Sequence, residues 1–439
     1  MQRKGSSSSY REDYAYSLGI QSYIYGYPLV TMERTRQVQT LIDMPAEPPL
    51  TASNVFFHED ITPEYQDVVT PNVDTVYCIA WLDLSRQPVV LHVPDTNGRY
   101  YVMQIMDAYS NTFANIGRRA TGTHAGKFAI MGPAWKGVLP SEFQSIQSPT
   151  NTAWIVGRVL AKGEDDRKEA MRILKQFTLT ALDEDRNPYV IKPADKLLLD
   201  NKVEDLCAMD FFRIMTDLMI LNPTTGNESF EKQFAHIGID LTYGLDAGKL
   251  DPETIAGLNR AVTDAFSIIS NGQEKLNPRI SNGWLTYPGL GNYGDQFLKR
   301  AYIAYMGLGA NVDEEATCPR TFTDDQGKPL NGQYKYILRF GENQLPPVEA
   351  FWSVTMYDQD LFLVPNEDNR YAIADYTPGL ERNPNGSIDI YIQNSPPTQH
   401  RSNWLPAPEG DFNLLLRMYQ PKAEVLNGTY EVPGVRRVV

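Results

Sequence analysis

Residues 67–119 read DVVTPNVDTVYCIAWLDLSRQPVVLHVPDTNGRYYVMQIMDAYSNTFANIGRR, and the reading of this stretch decides the fold. Apolar, β-branched and aromatic runs fill residues 73–82, 88–93 and 99–106. Turn-forming residues separate them, first Ser85-Arg86-Gln87 and then Asp95-Thr96-Asn97-Gly98. That pattern predicts antiparallel strands joined by short turns. The polar content is unusual for a sheet. Asn72, Asp74, Thr75, Tyr77, Arg99, Gln104, Asp107, Tyr109, Asn111 and Arg118 crowd the strand starts and ends. Burying such groups costs free energy unless each finds a partner, so the strand ends are where a site could be built.

On the N-terminal side, residues 10–39 predict a helix interrupted near Gly26 and Pro28, with Tyr14, Leu18, Tyr25 and Leu29 on one apolar face. Residues 44–50 are Pro-rich and read as an extended loop. On the other side, residues 127–132 and 152–160 are further strands, the second rich in Val, Ile and Trp. The middle of the chain changes period. Residues 165–182 carry the stripe Met171, Leu174, Phe177 and Ala181, the pattern of an amphipathic helix. Residues 203–221 are too apolar for a surface helix. Residues 251–269 begin with Asp251 as N-cap and Pro252 at the first helical position, and residues 295–307 form another helix. Strand patterns return at residues 334–340, 349–358, 371–376, 387–393 and 412–421, and Asn385-Gly386 signals a hairpin. The expectation is an α+β fold: two antiparallel β-sandwich domains, jelly-roll-like, linked by a helical layer. The boundaries are 10–160, 161–309 and 310–439.

At 439 residues the chain has room for two or three domains. A net charge of −14 without a Lys/Arg block argues against nucleic acid and against an anionic membrane surface. Cys78, Cys207 and Cys318 lie too far apart for a CxxC or zinc spacing, and Cys78 and Cys207 read as buried thiols. No apolar run is long enough for a transmembrane helix. The opening MQRKGSSSS lacks the apolar core of a signal peptide, so a soluble protein of unknown compartment is expected.

Several phrases then carry a family resemblance. TPNVDTVY at 70–77 and GRYYVMQIMDAYSN at 98–111 resemble the bacterial domain of unknown function 1254. FWSVTMYD at 351–358, NPNGSIDIYIQ at 383–393, NWLPAP at 403–408 and LLLRMYQP at 414–421 resemble its C-terminal companion, domain of unknown function 1214. The resemblance implies two β domains with helices between them and carries no catalytic set. Many members of the family look exported.

The candidate chemistry starts with the carboxylates Asp74 and Asp107. With Tyr77, Arg99, Gln104 and Arg118 they could form an acid/base or metal site. Strand alternation places Gln104 on the face opposite Arg99 and Asp107. The bland reading, in which Asp74 caps a turn after Pro71-Asn72 and Asp107 pairs with an Arg, is preferred. Tyr100, Tyr101, Tyr109, Trp352, Tyr357 and Trp404 could present a ring- or sugar-binding surface, though most are expected in the core. Trp404 is the exception, held outward by the prolines of NWLPAP. Asn72 and Asn111 complete the ligand-binding candidates. Gly289, Gly291 and Gly294 form a GxGxxG without the strand that a dinucleotide site needs; they read as a tight turn into a helix. No HExxH or HxH occurs, and no cofactor is expected. Calcium or another divalent ion stays open at Asp358, Asp360, Asn366, Glu367 and Asp368. Ser110 and Ser353 have no base readable from the sequence.

The leading expectation is an enzyme of hydrolase or lyase type, doing hydrolytic or acid/base chemistry. Its substrate is a small organic or saccharide-like molecule in a cleft between the β domains, and the chain forms a homo-oligomer. Asp74, Asp107, Tyr77 and Arg118 are the catalytic candidates. A non-catalytic ligand-binding protein and a structural or assembly protein are the alternatives.

Overall fold

Alternation of buried side chains builds the N-terminal β region. In strand Thr75–Asp83, the side chains of Val76, Cys78, Ala80 and Leu82 enter one core, while Tyr77 and Trp81 face the other way. A computed structural model describes residues 9–42, 49–59, 70–183, 185 and 188–438 of the chain. Residues 1–8, most of the Pro-rich stretch 44–50 and the first three residues of the stretch 67–119 fall outside these. The fold is α+β.

Two sheets share the first core. One runs in the order Phe57–Glu59, Thr75–Asp83, Thr152–Leu160, Tyr101–Asp107, Thr112–Gly117. The other runs Thr178–Ala181, Val89–Val93, Gly126–Met131, Gln144–Gln147. Strands Thr75–Asp83, Val89–Val93 and Tyr101–Asp107 are consecutive in the chain, yet no two of them pair. The turns at 85–87 and 95–98 therefore carry the chain from one sheet to the other, and the expected hairpins do not form. The reason is that Leu82 and Val89 feed the same core from opposite sides. The pairing is also not purely antiparallel: Gly126–Met131 lies parallel to Gln144–Gln147, and Ile388–Gln393 parallel to Trp404–Pro406.

The first helix, Tyr10–Gln39, is continuous through Pro28. Proline removes the donor for the carbonyl of Ile24, but burial outweighs this local cost. Tyr23, Tyr25, Tyr27, Leu29, Val30 and Met32 are all buried, so the helix is apolar around much of its circumference and sits at the centre of a helical cluster. Helices Ala208–Leu221, Pro252–Ser270 and Phe297–Met306 surround it. Gly19 allows a close approach: a Cβ there would lie 2.7 Å from the Ala261 Cβ. Asp251 caps its helix as expected, accepting from the Thr254 amide at 2.9 Å. The helix expected over 165–182 ends at Leu174, and Thr178–Ala181 becomes an edge strand on Val89–Val93. Cys78 is buried, but Cys207 is exposed at the start of its helix.

The C-terminal core again draws on two sheets. Strands Val348–Asp358 and Phe412–Pro421 pair at the centre of the larger one, and Lys335–Phe340 and Ile388–Gln393 pair in the smaller. Asn385-Gly386 links strands of different sheets instead of closing a hairpin. A hairpin the sequence reading passed over does form at Asn282-Gly283, where both residues have positive φ and join Arg279–Ser281 to Trp284–Thr286. Among the described residues no helix is long and apolar enough to cross a membrane.

Candidate functional site

The outer faces of the two central sheets meet. From the N-terminal side come Tyr77, Tyr100, Val102, Gln104, Arg158 and Leu160, on alternate positions of three neighbouring strands. From the C-terminal side come Phe351, Ser353, Thr355 and Tyr357, paired across the ladder with Tyr419, Arg417, Leu415 and Asn413. Tyr100, Val102, Leu160, Phe351 and Tyr419 form an apolar contact between the two. Beside it lies a buried polar centre.

Asp74 is 1% exposed. Tyr376 donates its hydroxyl to Asp74 Oδ1 at 2.7 Å, and Ser353 donates to Oδ2 at 2.5 Å. Asn72 Nδ2 donates to the Tyr419 hydroxyl at 2.6 Å, and the Tyr357 hydroxyl donates to the Pro71 carbonyl at 2.7 Å. These bonds tie residues 70–75 to the C-terminal sheet. Thr70 itself has positive φ, and its carbonyl accepts from Arg417.

Three guanidinium groups converge here. Arg417 donates to the Thr355 and Tyr357 hydroxyls at 2.8 and 2.7 Å. Arg158 donates to Gln104 Oε1 at 2.9 Å, to the Tyr77 hydroxyl at 3.4 Å and to the Gly309 carbonyl at 3.3 Å. Arg320 is half-buried, and its Nε has no hydrogen-bond acceptor among the described residues. Burial lowers its pKa; Tyr357 opposes this, and the like charge of Arg417 lowers it further. None of the three forms an ion pair with a carboxylate among the described residues. Cys318 keeps exposed surface although protein surrounds it, the situation of a side chain lining a cleft. Burial pushes its thiol up, while Arg417, Arg158 and Arg320 pull it back down.

The phenols complete the electrostatics. Tyr419 is raised well above the ordinary phenol value by burial and then by Tyr77. Its hydroxyl accepts from Asn72, and that of Tyr77 accepts from Arg158, so each has a proton left to donate. Tyr376 is likewise raised by burial and by Asp74. Asp375, next to it, is pushed up to about 6 by burial and by Asp74, against the lowering bond from the Trp352 side of the ladder and the charge of Lys162. The five histidines of the chain lie elsewhere. His92 meets Thr180, His124 meets Asp95, His236 packs on Tyr14, His400 meets Glu381, and His58 sits on an edge strand opposite Cys78.

Of the residues singled out in the sequence, Asn72, Asp74, Tyr77, Gln104 and Tyr357 come together at this centre. Arg118 bridges its rim, donating to the Glu349 carbonyl and to Gln420 Oε1 at 2.7 and 3.0 Å. Asp107 does not join them. It pairs with Ala153, whereas the Ala161 amide bonds the Asp74 carbonyl. Eight steps of one strand (153 to 161) at roughly 3.3 Å each separate the two carboxylates by about 26 Å. Asp107, Tyr109 and Asn111 gather instead around a cavity at the other end of the sheet, with Arg300. Arg99 is spent on a two-pronged ion pair with Asp166, 2.5 and 2.7 Å. Trp352 is buried in the C-terminal core against Phe340. Trp404, expected to point outward, is 6% exposed and donates its indole N–H to the Gln393 carbonyl at 2.8 Å; a strand pairing turns it inward. The glycines 289–294 make a tight turn as expected, and the anion at it is the chain's own Asp313, which accepts from the Gly289 and Leu290 amides.

Among the described residues no group of three or more His, Cys, Asp or Glu side chains could hold a metal ion. At the loop considered for calcium, Asp358 accepts the Asp360 and Phe362 amides, and Asp368 pairs with Arg401. Sequence reasoning missed Arg158, Arg320, Tyr376, Arg417 and Tyr419, and did not pair Ser353 with Asp74. The available signal was an arginine inside an otherwise apolar strand: TAWIVGRVL at 152–160 and FNLLLRMYQP at 412–421.

The VPA0106 protein from Vibrio parahaemolyticus, known from a crystal structure, is similar over 97% of this chain and 100% of its own, with a TM-score of 0.73 and 23% identity. That is a likeness of fold. An uncharacterised protein from Burkholderia cenocepacia aligns over 95% of this chain and 88% of its own, with a TM-score of 0.49 and 11% identity. No curated protein matches the chain. Residues 53–181 match the family described as Protein of unknown function (DUF1254) and residues 315–423 that described as Protein of unknown function (DUF1214). Asp74, Tyr77 and Arg158 thus lie in the first matched region, and Arg320, Ser353, Tyr376, Arg417 and Tyr419 in the second. The chain carries both domains, DUF1254 on its N-terminal side and DUF1214 on its C-terminal side, with the polar centre at their junction.

Proposed function

We propose that the chain is an enzyme that does acid/base chemistry on a small anionic organic molecule held between the two β regions. The observation that carries this reading is the set of three guanidiniums, Arg158, Arg320 and Arg417, whose hydrogen-bond acceptors among the described residues are all neutral, with the Asp74 carboxylate acting on Arg417 only from a distance. Buried cations without a direct ion pair are costly, and an anionic ligand would relieve that cost with two-pronged bonds. In this reading Arg320 and Arg417 hold the anion. Tyr77 and Tyr419 donate toward an oxygen that gains charge during the reaction, the role of preorganised donors in acyl and enol chemistry. Asp74 is a positioning residue that fixes Tyr376 and Ser353. With no histidine near, proton transfer falls to phenols and carboxylates.

We also read the paired sheets as two sandwiches of jelly-roll style, bounded near residues 160 and 310. The helices between form a linking layer, and the assembly is a homo-oligomer. Two cores, each drawn from two sheets, support the sandwich part.

The test is proton exchange in heavy water. Succinate, citrate and pyruvate are incubated with the protein and followed by NMR, alongside glucose as a neutral control. Catalysed deuterium uptake beside a carboxylate, lost in Arg320→Met, is the expected result. Thermal stabilisation by one of the acids without any exchange would favour the non-catalytic binding reading. No stabilisation and no exchange with any acid would remove the anionic-substrate reading.

A further inference from the structure

The cavity around Asp107 has a volume of about 260 Å³ and lies between the N-terminal sheet and the helical cluster. It is separate from the polar centre, at the far end of strand Thr152–Leu160. Its two charged walls are unlike each other. Asp107 is 7% exposed and accepts three bonds on Oδ1, from the Tyr109 and Asn111 amides and the Asn111 side chain. Among the described residues its Oδ2 takes one, from Asn111 Nδ2 at 3.0 Å. Burial raises the pKa of Asp107, and the Asn111 bonds and the charge of Arg300 work against that rise.

Arg300 is 2% exposed. It lies over the rings of Tyr25, Tyr109 and Phe297 at 5.2, 5.4 and 5.2 Å. One long bond, from Nη2 to the Tyr25 carbonyl at 3.4 Å, is its hydrogen bonding among the described residues, and its Nε is buried without an acceptor. Asp107 and Arg300 line one cavity without forming a direct ion pair. A buried guanidinium in this state has most of its donors unused, and leaving them unused is costly.

We propose that this cavity is a second ligand site. It takes a small carboxylate that carries a neighbouring O–H or N–H donor, a hydroxy acid or an amino acid. The ligand carboxylate meets Arg300, and its donor meets Asp107 Oδ2. The volume falls just below the range of about 300–1,000 Å³ usual for drug-sized ligands, which suits so small a molecule. Thr224 and Asn227, on the loop closing the cavity, add a hydroxyl and an amide to its wall. Thr224 is already oriented by its bond to Glu231 at 2.8 Å.

Isothermal titration of the full chain carrying Arg320→Met, so that the anion site at the junction of the β regions does not contribute, tests this with four probes: glycerate and serine, which have both features, propionate, which lacks the donor, and glycerol, which lacks the carboxylate. Glycerate or serine binds at one site per chain, and which of them binds identifies the donor as hydroxyl or ammonium. Propionate and glycerol bind at least about tenfold more weakly, the worth of one charge-assisted hydrogen bond. In the same background Thr225→Trp, on the exposed mouth of the cavity, abolishes binding without touching the buried residues. The proposal is overturned if no probe binds, if propionate binds as tightly as glycerate and serine, or if binding survives Thr225→Trp.

Discussion

Replacing Arg320 by methionine separates the stability of the chain from its proposed task. Arg320 is half-buried, its Nε has no acceptor among the described residues, and the like charge of Arg417 acts on it. A buried donor left unmade costs about 1–3 kcal/mol. Methionine keeps much of the stem's volume and needs no partner. Some packing of the guanidinium against Phe322, whose ring centroid is 6.0 Å away, is lost. The net expectation is a ligand-free protein more stable by about 1–2 kcal/mol, seen as a melting temperature about 1–2 °C higher for a chain of this length. Scanning calorimetry at one scan rate, in a buffer free of multivalent anions, measures it. Excess phosphate is then added to both proteins. Wild type gains stability by mass action, about 2.7 kcal/mol at a hundred times the dissociation constant, and Arg320→Met gains little. A variant that melts below wild type and responds equally to phosphate would refute the reasoning.

Other perturbations test neighbouring parts of the account. The folded pKa of Asp375, about 6, lies above the ordinary carboxylate value of 3.8. Its contribution is therefore fully present below that ordinary value and is lost as pH rises through about 6. Asp375→Asn flattens the stability profile across that window in denaturant titrations, by a small amount because the side chain keeps open surface. Trp404→Phe removes the indole bond to the Gln393 carbonyl, which keeps the Ala407 amide as a donor, and costs about 0.5–1.5 kcal/mol. Its anion binding by calorimetry stays at the wild-type value, since the indole is a core group. Gly19→Val forces the first helix away from Ala261 and Leu258, which already lie 2.7 and 3.1 Å from an added Cβ. Overpacking of this kind costs about 1–3 kcal/mol, read from urea unfolding followed by helical circular dichroism.

What the sequence disclosed was local. Thr152–Leu160 and Phe412–Pro421 were readable to the residue because each is an unbroken β-forming run bounded by turn residues. Asp251 and Pro252 marked a helix start for the same kind of reason. Sheet partnership was not readable, because a turn of three residues serves a hairpin and a crossover between facing sheets equally well. Pro28 misled because the cost of one missing hydrogen bond is visible locally, while the burial of Tyr25, Tyr27 and Leu29 around it is tertiary. Half of the polar centre was visible as Asn72, Asp74 and Tyr77. The other half required knowing that the outer faces of two sheets meet, which brings Ser353 to Asp74 across 279 positions of sequence. Asp74 and Asp107 looked like a pair because both lie at strand termini, but those termini are at opposite ends of one sheet.

The most direct test of the central claim is an anomalous-scattering map from crystals of the ligand-free chain soaked in selenate. The account predicts a selenium peak within hydrogen-bond reach of Arg320 and Arg417, close to Tyr419, and its loss in Arg320→Met crystals. Selenium peaks at surface lysines and arginines with an empty map at the junction of the two β regions would contradict it.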